Sequence, residues 1–321
     1  MSEEFVRKKR GLKDYIYLFF TGVCMGAADI VPGVSGGTMA FIMGIYEELL
    51  DAIKSVNVKL VQLALKFKIK ECFAHVPWQF AIVLAAGIFI TLIALSTVVD
   101  SALQDPTGKV YLYAFFFGLI IASIVTLSMR LKWRIKEIIG FVAGAVGAWM
   151  IVGLVPSEMP HTAPYIFFSG MIAIMAMILP GISGSFILLI LGQYAFVIGA
   201  IKDLDIKVFL IFGAGAAIGL LGFARVLSFL LARFHNVMIA VLIGFMAGSL
   251  RKIWPFKDAD NTEYIQDRHG ELVPIVEPNM MPDFGSQQFM VAAGLAVAGV
   301  VVILVLETIN NKMNGPDPVA G

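Results

Sequence analysis

The sequence predicts an all-α polytopic membrane protein made of two inverted repeats, each a broken, re-entrant helix hairpin followed by three transmembrane helices. Three observations lead there. Apolar residues make up 59% of the 321 and charged residues only 15%, with a mean hydropathy of +0.87; soluble domains carry about 45–50% and about 25%. Several apolar runs reach the length of about 20 helical residues that a bilayer core of roughly 30 Å requires. Finally, a Pro-Gly-x-Ser-Gly cluster interrupts an apolar region twice, at 32–36 and again at 180–184. The net charge of +1 and the lack of any basic stripe give no reason to expect nucleic acid. Cys24 and Cys72 suggest neither a disulfide framework nor a metal site, and His75, His161, His235 and His269 do not make a zinc pattern. No metal or cofactor is expected.

Residues 1–14 form a basic N-terminus with Arg7, Lys8, Lys9 and Arg10. Residues 7–28, ending in Gly26-Ala27-Ala28, have the outline of a signal peptide, but the same local sequence recurs later without a basic prefix, which marks it as structure. The first repeat spans 15–155: a broken region at 15–53, a charged insertion at 55–78, then runs at 79–99, 111–129 and 138–155. The second spans 156–308: a broken region at 164–201, then runs at 208–232, 237–250 (extendable toward Trp254) and 287–306, with a loop at 256–284 and a tail at 309–321. Gly and Pro break a helix, and a bilayer tolerates broken backbone only where protein or a water-filled cavity surrounds it. Each broken region therefore reads as two half-helices meeting at a glycine-rich turn.

The repeat is visible residue by residue. A shift of 148 places Pro32, Gly33, Ser35 and Gly36 on Pro180, Gly181, Ser183 and Gly184. It continues through Gly44 on Gly192, Tyr46 on Tyr194 and Ala52-Ile53-Lys54 on Ala200-Ile201-Lys202, and upstream through Tyr17, Phe19, Phe20 and Gly22 on Tyr165, Phe167, Phe168 and Gly170. With a shorter shift, Gly118 and Ser123 meet Gly244 and Ser249, so the first half carries an insertion of roughly 20 residues, matching 55–78.

Lys and Arg set the topology. The N-terminus, 54–70 and 130–136 are basic and belong in the cytoplasm, so 15–53 is either a re-entrant hairpin or a pair of full spans. The loops 100–110 and 156–163 hold one Lys and no Arg between them and belong outside, as does 256–284; Arg251 and Lys252 are exceptions to the rule. Three crossings follow the first hairpin, so the second copy enters from the opposite face and the C-terminus ends inside.

In both motifs the turn leads into a helix, expected to run to about Lys54 and about Ile201. The turn glycines (with Pro32, Gly33, Pro180 and Gly181 making the bend) let backbone approach a ligand, while Ser and Thr cap the new helix. A helix N-terminus presents free N–H groups and partial positive charge to an anion, and inverted-repeat transporters set two such termini near the midplane. Ser35, Gly36, Gly37 and Thr38, with Ser183, Gly184 and Ser185, are thus the candidate phosphate-binding residues; the competing reading is small-residue helix packing. This is not a nucleotide loop, because the GxxxxGK[ST] lysine is absent. Charges inside apolar runs mark function because they are costly there. Arg225 is the candidate counter-charge for the phosphate. Asp29 either caps the broken backbone or carries a proton or gates, and Glu47 is a second coupling candidate. Glu48 and Asp51 read as solvated, Gln193 and Tyr194 as a polar lining of the second copy, and Trp149 and Trp254 as interface anchors.

GAADIVPGVSGGTMAFIMGIYEELLDAI at 26–53, followed by LPGISGSFILLILGQY at 179–194, resembles the prokaryotic polyprenyl-phosphate transporters, the undecaprenyl-phosphate translocases, over most of the chain. The resemblance implies a multi-pass protein of the bacterial cytoplasmic membrane that is not an enzyme. It would return the phosphate head of the lipid carrier from the outer to the inner leaflet for reuse in cell-wall glycan synthesis, with polyprenyl phosphate as partner. A coupling ion, H⁺ or Na⁺, is a separate expectation, and the sequence does not decide between the two. A small inorganic-anion transporter or channel would need the same helix termini. A lipid phosphatase would need a nucleophile or base among convergent cations, and no histidine lies beside either motif.

Overall fold

The computed structural model describes residues 10–154, 159–266 and 272–314. Arg7, Lys8 and Lys9 of the basic N-terminus, the start of the second repeat at 156–158 and the end of the tail lie outside these residues. The chain begins with α1 (Leu12–Ile30), which stops where Val31 turns extended before Pro32. Gly33 then takes φ +88°, a left-handed conformation that favours glycine, and α2 (Gly36–Ile42) starts with a new axis. The motif does not open one long helix. A second left-handed glycine, Gly44 at φ +70°, ends α2 after seven residues, and α3 (Tyr46–Lys54) follows. The charged insertion folds as two short helices, α4 (Val58–Leu65) and α5 (Ile69–His75). Three long apolar helices come next: α6 (Trp78–Gln104), α7 (Pro106–Arg130), whose N-terminus Asp105 caps by accepting from Gly108 N–H at 2.7 Å, and α8 (Ile135–Val152).

The second half repeats the plan. α9 (Ala163–Ile178) ends before Pro180 and Gly181 at φ +91°; α10 (Gly184–Ile190) runs for seven residues; Gly192 at φ +63° turns the chain into α11 (Tyr194–Lys202). The axes of α10 and α11 differ by 118°. Each broken region is therefore three helices, not two half-helices, and Gly44 and Gly192 are why. The continuous run α12 (Ile206–Ile253) has 48 residues. At 1.5 Å per residue it would reach about 72 Å, far beyond one bilayer core. Non-helical backbone at Phe234 (φ −135°, ψ 45°) divides it into the two spans the sequence separates. The segment that follows is not purely irregular: β1 (Glu263–Gln266) and β2 (Leu272–Val276) pair antiparallel, a small departure from an all-helical chain. α13 (Gln287–Asn314) closes the fold and runs past 308, where the tail was expected to begin. The protein is a multi-pass, helical membrane protein: α6, α7, α8, α12 and α13 are long and apolar enough to cross a bilayer, and aliphatic and aromatic side chains such as Ile93, Phe89, Phe209 and Phe229 stay exposed on them, as lipid contact requires.

Helix pairing shows the duplication more clearly than the elements do. A Cβ placed on Gly22 would strike the Leu84 carbonyl, and one on Gly87 the Phe19 carbonyl, so α1 and α6 touch backbone to backbone. The first half of α12 repeats this seam with α9: Gly170 meets the Phe212 carbonyl and Gly215 the Phe167 carbonyl. A second seam joins α7 to α13, Gly118 to the Ala296 carbonyl and Gly299 to the Phe115 carbonyl. Its copy joins the second half of α12 to α8, Gly244 to the Phe141 carbonyl and Gly144 to the Val241 carbonyl. Small residues let membrane helices approach this closely.

Candidate functional site

The two broken turns meet in the protein interior. Ser35 is 1% exposed, Thr38 0% and Ser183 7%. The Ser35 hydroxyl caps α2 by accepting from Gly37 N–H at 3.1 Å and donates to the Met177 carbonyl of α9 at 3.0 Å. In return, Gly181 N–H of the second turn donates to Thr38 Oγ1 at 2.9 Å. The Tyr46 hydroxyl donates to the Ile178 carbonyl at 3.0 Å, so α3 also holds the end of α9. Gly37 must be glycine here: a Cβ would sit 2.7 Å from the Ile178 carbonyl oxygen and 2.9 Å from that of Met177. Ser183 and Ser185 bond each other at 2.7 Å. Side chains of the first turn and of α3 thus satisfy backbone groups that the second helix break leaves without partners, as buried backbone requires.

Asp29 has a definite place. Its carboxylate accepts from Gly36 N–H at 2.7 Å and lies where a Gly36 Cβ would be. It is a charge-assisted cap on the broken backbone, occupying the position an external anion would take at the start of α2. Pro32 also contributes: its carbonyl accepts from the Tyr113 hydroxyl of α7 at 3.0 Å.

Arg225 stands elsewhere. Its guanidinium donates to the Leu221 carbonyl of its own helix at 2.7 Å and to the Val56 carbonyl at 3.2 Å, in an exposed position away from both turns. A cation that the fold does set beside the turns is Lys252. Its stem lies 3.0 Å from the position of a Gly33 Cβ, and its ammonium is 4.9 Å from the centre of the Phe186 ring on α10. Lys252 therefore touches both turn regions. In the sequence it showed only as a lysine on a side where lysines are disfavoured. Glu47 pairs with His235 at 3.3 Å near the Phe234 break and not with the turns. Glu48 is not solvated: it pairs with Arg10 at 2.5 Å, and both side chains are largely covered. Gln193 is fully buried between His161 (3.2 Å) and the Met159 carbonyl (3.2 Å), in the turn between α10 and α11. Sequence reasoning missed Tyr113 altogether and saw Tyr46 only as one member of the repeat.

Residues 25–273, which include both turns and Lys252, match the VCA0040-like family, described as undecaprenyl phosphate translocase-like. The chain belongs to that family. The polyprenyl-phosphate transporter of Vibrio cholerae serotype O1 is 39% identical over 93% of this chain and 98% of its own length. That of Staphylococcus aureus is 28% identical over 73% of this chain and 84% of its own. No solved structure matches this member of the family.

Proposed function

We propose that the protein moves polyprenyl phosphate across the bacterial cytoplasmic membrane, from the outer to the inner leaflet, by alternating access of two inverted halves. The names of its relatives support the substrate, and three spans between the two broken regions support the inversion. The observation that carries the mechanism is the set of hydrogen bonds by which side chains of the first half hold the backbone of the second turn. Ser35, Thr38 and Gly181 hold donors and acceptors in a buried place where they bond across to the opposite turn or the helix leading into it. A phosphate entering between the turns takes over these groups, with Gly36, Gly37, Gly184 and the Ser183–Ser185 hydroxyl pair, and the two turns separate around it. Asp29, the resident anion of the first turn, yields its place and couples that exchange to H⁺ or Na⁺. Arg225, held near Val56, neutralises the head group on its way out to the cytoplasmic leaflet. The tail stays in lipid throughout.

Transport of labelled polyprenyl phosphate in proteoliposomes, with binding to purified variants, tests this reading. A hydrogen bond to a charged group is worth roughly 1.5–3 kcal/mol, so Ser35→Ala and Ser183→Ala should each weaken binding about tenfold or more. Arg225→Leu should slow transport more than Arg225→Lys, which keeps the charge without the bidentate fork. Wild-type affinity in both serine variants would sink the shared seat.

A further inference from the structure

Beside the first turn, on the side that carries the β1–β2 hairpin, lies a cluster that the turns do not use. Glu277, with only 8% of its side chain exposed, is paired to Lys109 at the start of α7 and lies 3.7 Å from Lys252 at the end of α12. Lys257 adjoins them: its ammonium donates to the Lys252 carbonyl at 3.0 Å and to Asn279 Oδ1 at 2.6 Å. Arg251 stacks on Trp149 with its guanidinium 4.6 Å from the ring centre. Asp258, next in the chain, offers no second carboxylate, because it bonds Asp260 N–H, Asn261 N–H and the Asn261 amide in its own turn. Three ammonium groups therefore gather around one buried carboxylate. The excess of positive charge leaves its mark outside the membrane spans. Burial, and next the charge of Lys252, lower the Lys257 ammonium to about 7 against the pull of Glu277, with Lys109 and Arg251 pushing the same way. Burial alone would raise the Glu277 carboxyl, but Lys109, Lys252 and Lys257 overcome it and hold it below the usual carboxylate range.

Such a cluster carries charge for an anion of higher charge than one carboxylate. It also connects to the turns: Lys252 touches Gly33 and faces Phe186, and Tyr113, one helical turn along α7 from Lys109, holds the Pro32 carbonyl.

We infer that Lys109, Lys252 and Lys257 form a receiving site for the phosphomonoester head of the lipid, with Glu277 as an internal anion that the head group displaces before it passes to the turns. The inference rests on the transport reading above and adds a capture step to it. The dianionic head competes with Glu277 for the same ammonium groups. Lys252, the cation shared by cluster and turns, then hands it inward.

The test is direct binding of farnesyl phosphate to the full chain in detergent, with inorganic phosphate and farnesol as separate arms. Lys252→Met should weaken farnesyl phosphate binding by about tenfold or more, since it removes a charged hydrogen-bond donor, and Lys252→Arg should restore part of it. Glu277→Gln should tighten binding severalfold by removing the competitor, a gain that a merely structural role would not give. Lys257→Met, at the edge of the cluster, should weaken it severalfold and serves if a more buried variant does not fold. Inorganic phosphate should compete only at much higher concentration than farnesyl phosphate, and farnesol should not compete. Equal affinity for inorganic phosphate would overturn the lipid assignment. Unchanged affinity in folded Lys252→Met and Lys257→Met, or weaker binding in folded Glu277→Gln, would overturn the capture site while wild-type binding and transport stand. If wild type bound no farnesyl phosphate and transported no polyprenyl phosphate, the transport reading itself would fall.

Discussion

Replacing Thr38 by Val tests whether the first broken turn supports the second. The side chains are nearly equal in volume and both β-branched, so the exchange leaves the shape largely in place. What changes is Oγ1, the acceptor for Gly181 N–H at 2.9 Å across the interface between halves. Thr38 is fully buried, so no water replaces the lost partner. Two magnitudes compete. Stranding a buried donor costs about 1–3 kcal/mol. Interhelical hydrogen bonds in membranes average only about 0.6 kcal/mol, because side chains freed in lipid find other partners. Here the stranded group is a backbone N–H in a turn fixed by Pro180 and the left-handed Gly181, which has no such freedom. The larger figure governs, and a loss of about 1–3 kcal/mol is expected, a factor of about five or more in the unfolding constant. Equilibrium unfolding in mixed micelles measures it, with Thr38→Ser, which keeps the hydroxyl, as the milder control. Wild-type stability in Thr38→Val, or a greater loss in Thr38→Ser, would refute the support of the second turn by the first.

Gly118→Ala should destabilise by about 1–3 kcal/mol, since a methyl cannot fit against the Ala296 carbonyl. Gly147→Ala, which meets nothing within 4 Å, should be neutral or stabilise its helix, as the same unfolding assay would read. Lys257 sets a pH dependence: its folded value of about 7 lies below the ordinary 10.5, so between those values the unfolded chain binds more protons and stability rises with pH. The gain should be present above pH 10.5 and lost as pH falls through 7, and Lys257→Met should flatten that slope in unfolding curves taken across the range. Asp29→Asn keeps an acceptor for Gly36 N–H but removes the charge; it should retain head-group binding while losing the effect of an imposed pH or Na⁺ gradient in proteoliposomes. An impermeant thiol reagent should label single cysteines in 256–284 from outside intact cells and those in 55–78 only after permeabilisation; labelling of 256–284 from the cytoplasm would remove the inverted topology.

The sequence reveals the membrane class, the six long runs and the duplicated motif because these depend on composition and spacing. The seven-residue helices α2 and α10 are hidden although Gly44 and Gly192 align in the repeat, since a glycine in an apolar run reads equally as packing or as a turn until its φ is known. The role of Asp29 as a cap was one of two local readings open to it. The position of Arg225 could not be read, because it depends on which face of α12 meets the segment after α3. Lys252 is visible only as an exception to a charge rule; its contacts with Gly33 and Phe186 arise because the fold brings the end of α12 beside both broken regions. The Glu277 cluster joins residues from α7, α12 and the strand segment, and no local pattern announces it.

The glycine seams decide what can slide. Where a carbonyl sits in the notch left by a missing side chain, axial shear of one helix would drive it into the next residue's Cβ. The two helices of each seam are therefore geared together and move as one body. Four such bodies result: α1 with α6, α9 with the first half of α12, α7 with α13, and α8 with the second half of α12. Relative motion is left to the joints between them. Phe234 is such a joint, because the halves of α12 on either side of it belong to different bodies; the Asp105 corner between α6 and α7 is another. A disulfide across a seam should leave transport intact, whereas one that bridges the Phe234 joint should arrest it.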